Sequence, residues 1–377
     1  MRIDFHASAE PTLGVEWELA LVDRRTRDLR NEAEHLFARS RHRLPVAGRL
    51  HQELLRNTVE AVTGICPDVP SAMADLRGTL AAVVPAADEL GLDLYGAGTH
   101  PFASWAGQQL SAGHRYAELI DRTQWWGRQM LIWGVHVHVG MPERDRVLPV
   151  LSALLTHHPH LQALSASSPV WAGTDTGYAS NRALMFQQLP TAGLPFQFQR
   201  WEELEAFASD QLTTGVIDSL SEIRWDIRPA AHLGTLEHRV CDGVSRVDDL
   251  AALVALVQCL VVDLDTRAAA GETLPSLPPW HVQENKWRAA RYGLDAIVVT
   301  DADCTERLVT DDLADLVVRL APTAERLGCA AELASVGDLV ARGASYQRQR
   351  RVAEATGGDL VAVVDSVVRE LRESLAT

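Results

Sequence analysis

The 377-residue sequence contains one lysine, Lys286; every other basic side chain is arginine. A GxxxxGK[ST] phosphate loop is therefore absent, and no GxGxxG stretch occurs either. Any bound phosphate must be held by arginine forks, metal ions or backbone amides. Cysteines are few and scattered: Cys66, Cys241, Cys259, Cys304 and Cys329 form no CxxC pair. That pattern suggests neither a disulfide framework nor a thiolate zinc site, and it fits a reducing cytoplasm. Long apolar runs are also missing. The longest, near 250–262, falls well short of the ~20 residues of a bilayer span, and MRIDFHASAE lacks the basic and apolar regions of an export signal. Positive charge is in deficit, with Lys+Arg 35 against Asp+Glu 50 and a formal net charge of -15, so the overall field repels a phosphate backbone. The expectation is a soluble cytoplasmic protein with small-molecule partners, no nucleic acid and no membrane. A homodimer is compatible with this composition.

Hydrophobic residues at 47% and charged residues at 23% are ordinary for a globular chain, and the length can bury a sizeable core. The first half mixes strand and helix signals, whereas the chain after about Asp248 reads as mostly helical, near 248–270, 285–293, 310–328 and 346–375. Residues 71–90 and 147–167 read as apolar helices, each interrupted by a proline that should kink or break it. The Pro-rich stretch 271–279 reads as a loop within one architecture, so 1–377 is taken as a single domain.

The informative pattern is period-2 alternation with chemistry on one face. GVEWEL (14–19) sets Glu16 and Glu18 opposite Val15, Trp17 and Leu19; GVHVHVG (134–140) sets His136 and His138 opposite three valines. TLEHRV (235–240) places Glu237 and Arg239 together, and IRWDIR (223–228) read as a strand places Arg224, Asp226 and Arg228 together. HQELLRNTVE (51–60) reads as a helix with Glu53, Asn57 and Glu60 on one face. Each is unremarkable alone, as a solvated face or an ion-pair ladder. If the five faces converge, they hold about four carboxylates, one or two imidazoles and several arginines, a donor set suited to Mg2+ or Mn2+ rather than zinc. Such sites bind a nucleoside triphosphate where no phosphate loop exists.

Seven ordered stretches, GVEWEL, GTHPFASW (98–105), GVHVHVG, LSASSPVWAGTDTGYASNRALMFQQLPTAGLP (164–195), IRWDIRP, GTLEHRVCD and ENKWRAARYGLDA (284–296), resemble the glutamate–cysteine ligase type 2 family of carboxylate–amine ligases. The resemblance covers nearly the whole chain. It implies an α+β, glutamine synthetase-like fold: a curved, largely antiparallel sheet, helices on its outer face and a helical C-terminal third. It also implies ATP and two or three Mg2+ ions, Mn2+ being an alternative. Carried over by motif, the metal ligands are Glu16, Glu18, Glu53, Glu60, His136 and Glu237. His138, Arg228 and Arg239 contact nucleotide phosphate, and Arg224, Arg228 and Arg239 stabilise the transferring phosphoryl group. Two departures stand out: the acids of 51–60 lie one residue closer than in glutamine synthetase, and His238 stands where an apolar residue is expected.

Other matched polar residues leave two readings open. His100 can orient a substrate carboxylate or bond a backbone carbonyl. Tyr178 and Arg182, with Ser180 and Asn181, can recognise an amino-acid substrate or cap a loop. The expected activity is ATP-dependent amide formation through an acyl phosphate, with glutamate and cysteine, or glutamate and another amine, as substrates. A metal-dependent phosphotransferase, a hydrolase on the same sheet and a non-catalytic nucleotide-binding protein are the alternatives.

Overall fold

The computed structural model describes residues 1–46 and 49–376. Its main sheet is built on β1 (Leu13–Asp23), where Leu13, Val15, Trp17, Leu19 and Leu21 are buried while Glu16 and Glu18 face the other way. The other strands are β2 (Leu50–Gln52), β3 (Thr58–Val62), β4 (Leu92–Tyr95) and β5 (Gly134–Gly140), then β8 (Ile227–Ala230) and β9 (Thr235–Asp242) beyond a small hairpin of β6 (Val170–Trp171) and β7 (Thr174–Asp175). The order is β2-β3-β1-β5-β9-β8, with β4 also on β1, and every pairing is antiparallel. Register sets Glu18 opposite Glu60, Glu16 opposite His136, His138 opposite Glu237, and Glu237 opposite Arg228.

Between the strands lie α1 (Ala33–Ser40), α2 (Val69–Glu89), α3 (His114–Arg128), α4 (Arg144–Leu154), α5 (His158–Ser165), α6 (Asn181–Phe186) and α7 (Trp201–Thr213). After β9 come α8 (Val247–Ala269), α9 (Pro279–Tyr292), a hairpin of β10 (Ile297–Val299) and β11 (Glu306–Leu308), then α10 (Val309–Leu327), α11 (Ala330–Arg342), α12 (Ser345–Ala355) and α13 (Leu360–Ala376). The long helix α8 is buried without interruption from Leu250 to Val261 and packs against α4, α10, α11 and β5. A helix hidden on all sides needs no polar stripe, which explains its near-continuous apolar sequence. Among the described residues, no helix is long and apolar enough to cross a membrane.

Several sequence expectations are corrected. Residues 51–60 are not a helix: Leu50–Gln52 and Thr58–Val62 are strands, so the supposed face of Glu53, Asn57 and Glu60 does not exist. The β-branched Thr58 and Val59 sit in the pleat against β1, and Asn57 bonds Gln108 and Thr58 instead. Segment 223–228 is a strand only from Ile227; Asp226 leaves the expected polar face and is buried behind the sheet. Segment 147–167 does break, into α4 and α5, with Pro159 in the first turn of α5; Pro85 and Pro149, however, stay inside their helices, each removing one backbone donor while buried neighbours such as Val83, Ala86, Val147 and Val150 hold the turn in place. The C-terminal helix is divided by Gly357 and Gly358, both at positive φ, and α11 fills a stretch that carried no clear signal.

Behind the sheet, one Asp226 oxygen accepts hydrogen bonds from Lys286 Nζ at 2.6 Å and His158 Nε2 at 3.1 Å. Burial alone would raise the Asp226 carboxyl, but the Lys286 charge and the His158 bond hold it far below its usual range. A buried pair robbed of one partner leaves an uncompensated charge. Lys286→Met should therefore lower the unfolding free energy by about 3 kcal/mol or more in urea titration; a loss under about 1 kcal/mol would mean that His158 alone suffices.

Candidate active site

The polar face of the sheet forms the floor of a cavity of about 400 Å³, large enough for a substantial ligand. Glu16, Glu18 and His136 reach it from β1 and β5, Glu60 from β3, and Glu53 from the β2–β3 connection. Arg239 rises from β9, Arg228 from β8, Arg224 from the segment before β8 and Arg182 from α6. Tyr116, Leu119, Met130, Ile132, Phe186 and Leu189 add apolar wall. Sequence reasoning missed these, since an apolar residue lining a pocket is written like one in a core. A separate, mainly apolar cavity of about 240 Å³ lies beside Trp225 and shares Ser221 and Arg228 with this one, but carries none of the clustered acids.

Within the site, donor atoms gather into three overlapping groups: Glu16, His138 and Glu237; Glu16, Glu60 and His136; and Glu18, Glu53 and Glu60. In each group the atoms lie within 4.8 Å of one another. His136 Nδ1 meets Glu16 Oε2 at 2.8 Å, and His138 Nδ1 meets the Thr235 hydroxyl at 3.0 Å. His138 Nε2 is buried without a hydrogen-bond partner, 3.4 Å from Glu16 and 3.9 Å from Glu237. Glu237 lies deeper, buried between Arg228, whose Nε donates to it at 2.6 Å, and Arg239.

Electrostatics divide the acids. Burial pushes the Glu60 carboxyl well up, and the charges of Glu53, Glu16 and Glu18 push it further. Glu18 is raised by burial, against the pull of His136, with Glu53 adding to the rise. Burial would also raise Glu16 and Glu237, yet both are held far below the carboxylate range, Glu16 by His136 and His138, Glu237 by Arg239 and Arg228. Burial and the Arg239 charge keep His136 below its ordinary value, favouring the neutral imidazole that can ligate metal. Packed carboxylates that repel, together with an orphaned imidazole nitrogen aimed at two of them, fit divalent cations, and the oxygen-rich donor set suits Mg2+ or Mn2+.

All six expected metal-site residues and the arginines at 182, 224, 228 and 239 thus gather in one region. Two expected substrate residues do not. His100 is buried; its Nε2 meets the Arg27 carbonyl at 2.8 Å and its Nδ1 accepts from the amides of Phe102 and Ala103, which spends the imidazole on loop structure. Tyr178 stands outside the cavity lining, its hydroxyl accepting from Trp287 Nε1 at 3.3 Å and its ring under Arg291. Ser180 and Asn181 likewise serve the loop: Ser180 donates to buried Asp242 at 2.8 Å, and Asn181 donates to the Ser168 carbonyl at 2.7 Å.

An antiparallel sheet with a cation-fitting acid cluster facing an arginine wall suits a metal-bound phosphate ligand, and comparison with known proteins makes the chain an ATP-dependent ligase that forms carbon–nitrogen bonds and gives it a family. The profile of glutamate–cysteine ligase family 2 matches residues 12–366, and the chain belongs to that family. A Nocardioides sp. protein provisionally named glutamate–cysteine ligase 2-3 is 77% identical over 375 residues, covering 100% of both chains. A Mycobacterium tuberculosis protein provisionally named glutamate–cysteine ligase 2 is 64% identical over 370 residues, covering 98% of this chain and 97% of its own. Among solved structures, a Francisella tularensis glutamate–cysteine ligase in complex with AMP shares the fold, with a TM-score of 0.63 at 14% identity over 99% of this chain and 94% of that one. A bifunctional glutathione synthetase from Pasteurella multocida gives a TM-score of 0.66 at 14% identity, over 97% of this chain and 53% of that one. The chain accordingly shares its fold with both of these proteins.

Repulsion within the acid cluster gives a direct test. Saturating Mg2+ should raise the wild-type Tm by roughly 5 °C. Glu60→Gln should melt higher than wild type in chelator and gain less from Mg2+. Equal Mg2+ shifts in the two proteins, followed by differential scanning calorimetry, would place the cation away from Glu60.

Proposed function

We propose that this cavity joins the γ-carboxylate of glutamate to an amine, with cysteine the first amine to test, at the cost of ATP cleaved to ADP and phosphate. The observation that carries the reading is the meeting of three acid-rich donor groups, two of them with an imidazole, with four arginines around one cavity of about 400 Å³. A carboxylate oxygen attacks the γ-phosphorus, the bond to the ADP oxygen breaks, and an acyl phosphate forms. The amine nitrogen then attacks the acyl carbon, inorganic phosphate leaves, and the nitrogen gives up a proton as the amide forms.

Glu16, Glu18, Glu53, Glu60, His136 and Glu237 are the residues that would hold Mg2+, with His138 beside them. Bound Mg2+ supplies neutralisation of phosphate-oxygen charge. Arg239 and Arg228, fixed by Glu237, present guanidinium charge to the phosphate chain. Arg224 is anchored by carbonyls of Pro190 and Glu222 and can neutralise the moving phosphoryl group from the other wall. Arg182 is placed to take a substrate carboxylate or phosphate. The apolar wall keeps water from the acyl phosphate, whose hydrolysis would waste ATP.

The test is ADP release by purified protein with Mg2+, ATP and glutamate, adding one amine at a time. ADP formation that requires both glutamate and a particular amine, with a product mass equal to their condensation, is the expected outcome. ATP turnover indifferent to every amine, or a stable phosphorylated acceptor, would point to a hydrolase or phosphotransferase instead. Glu16→Gln and Glu237→Gln should each reduce turnover roughly 100-fold or more while leaving the protein folded; near-normal turnover in either would overturn the metal-site assignment.

A further inference from the structure

Helix α6 ends at Phe186, and two guanidinium groups lie over its ring. Arg182 Cζ lies 5.6 Å and Arg239 Cζ 5.9 Å from the ring centroid. All three side chains line the same cavity. Both arginines are largely buried, and the Nε of each has no hydrogen-bond partner. Their remaining anchors are few: Arg239 bonds Glu237, and Arg182 Nη1 donates to the carbonyls of Arg239 and Val240 at 3.2 and 3.4 Å. On its other flank Arg182 lies against the backbone of Gly134, where any side chain would collide with the guanidinium.

Two largely buried like charges repel each other, and none of these hydrogen bonds joins one guanidinium directly to the other. The electron-rich face of an aromatic ring attracts both cations without adding a charge that would compete with an incoming anion. A carboxylate in the same place would fix the arginines by neutralising them. We propose that Phe186 is a positioning residue: its ring holds Arg182 and Arg239 at the spacing at which the two together receive one anion, the phosphate chain of the nucleotide. This role rests on the reading of the cavity as an ATP site.

The alternative is that Phe186 is only apolar filling. Leucine fills similar space without a ring, whereas tyrosine keeps the ring, so the two substitutions separate the roles. The experiment is calorimetric titration of wild type, Phe186→Leu and Phe186→Tyr with a non-hydrolysable Mg·ATP analogue, with the Tm of each recorded. Phe186→Leu should bind the analogue about five- to tenfold more weakly, Phe186→Tyr should stay within about twofold of wild type, and all three should melt within a few degrees of one another. Leucine binding as tightly as wild type, or leucine and tyrosine losing affinity equally, would overturn the positioning role while leaving the ATP site standing. A wild-type protein that does not bind the analogue would overturn the ATP reading, and the role of Phe186 with it.

Discussion

Everything at the site depends on placing acids side by side on a strand face whose reverse is the hydrophobic core. Carboxylates so close disfavour one another's ionised forms, and a flexible chain would let them separate. Here they cannot, because Leu13, Val15, Trp17 and Leu19 are locked into the core on the back of β1. A slip of one residue would drive Glu16 and Glu18 into that core and expose Trp17. The apolar face therefore fixes the register, and the register brings Glu18 to Glu60, Glu16 to His136 and Glu237 to Arg228. The hydrophobic effect supplies the force that holds the repelling charges together.

Strand β9 couples the front of the sheet to its back. Glu237 and Arg239 face the cavity, while His238 between them points into the interior, where burial and nearby His158 push its imidazole down to about 3. The Arg239 amide donates to the Asp226 carbonyl at 2.8 Å, and the Asp226 amide to Gly193. Asp226 in turn holds Lys286 of α9 and His158 of α5 through its side chain. One backbone segment thus links the cavity-facing arginine to helices behind the sheet. This also explains His238, whose position in the sequence called for an apolar residue: a neutral imidazole serves there as part of the buried packing.

The sequence was most legible where its signal was local and repeated. Alternation in GVEWEL, GVHVHVG and TLEHRV placed each polar side chain on the face it occupies, because a period of two on a half-buried strand has few other readings. It misled at 51–60, where acids at helical spacing satisfied a pattern that pairing with β1 overrides; Glu53 and Glu60 meet Glu18 through strand register and a connecting loop rather than through a helix face. At 223–228 alternation ran past the strand's start, and Asp226 turned to the only lysine in the chain, a partner 60 residues away that no local pattern could supply. His100 had two chemically sound uses, and the presence of the Arg27 carbonyl, a tertiary fact, decides which one its imidazole serves. Phe186 was silent for a different reason, since its importance comes from two cations brought over it by separate elements.

The solitary lysine has a practical consequence. Lys286 is 6% exposed and tied to Asp226, so among the described residues the native surface offers no accessible lysine side chain to acylating reagents or to a protease that cleaves only after lysine. Such a protease can cut this chain at one internal bond, and only in molecules in which α9 has come away from α5 and the Asp226 carboxylate. Cleavage into two pieces therefore reports the open form with no label introduced, as its population when reclosing is fast and as the opening rate when cleavage outpaces reclosing.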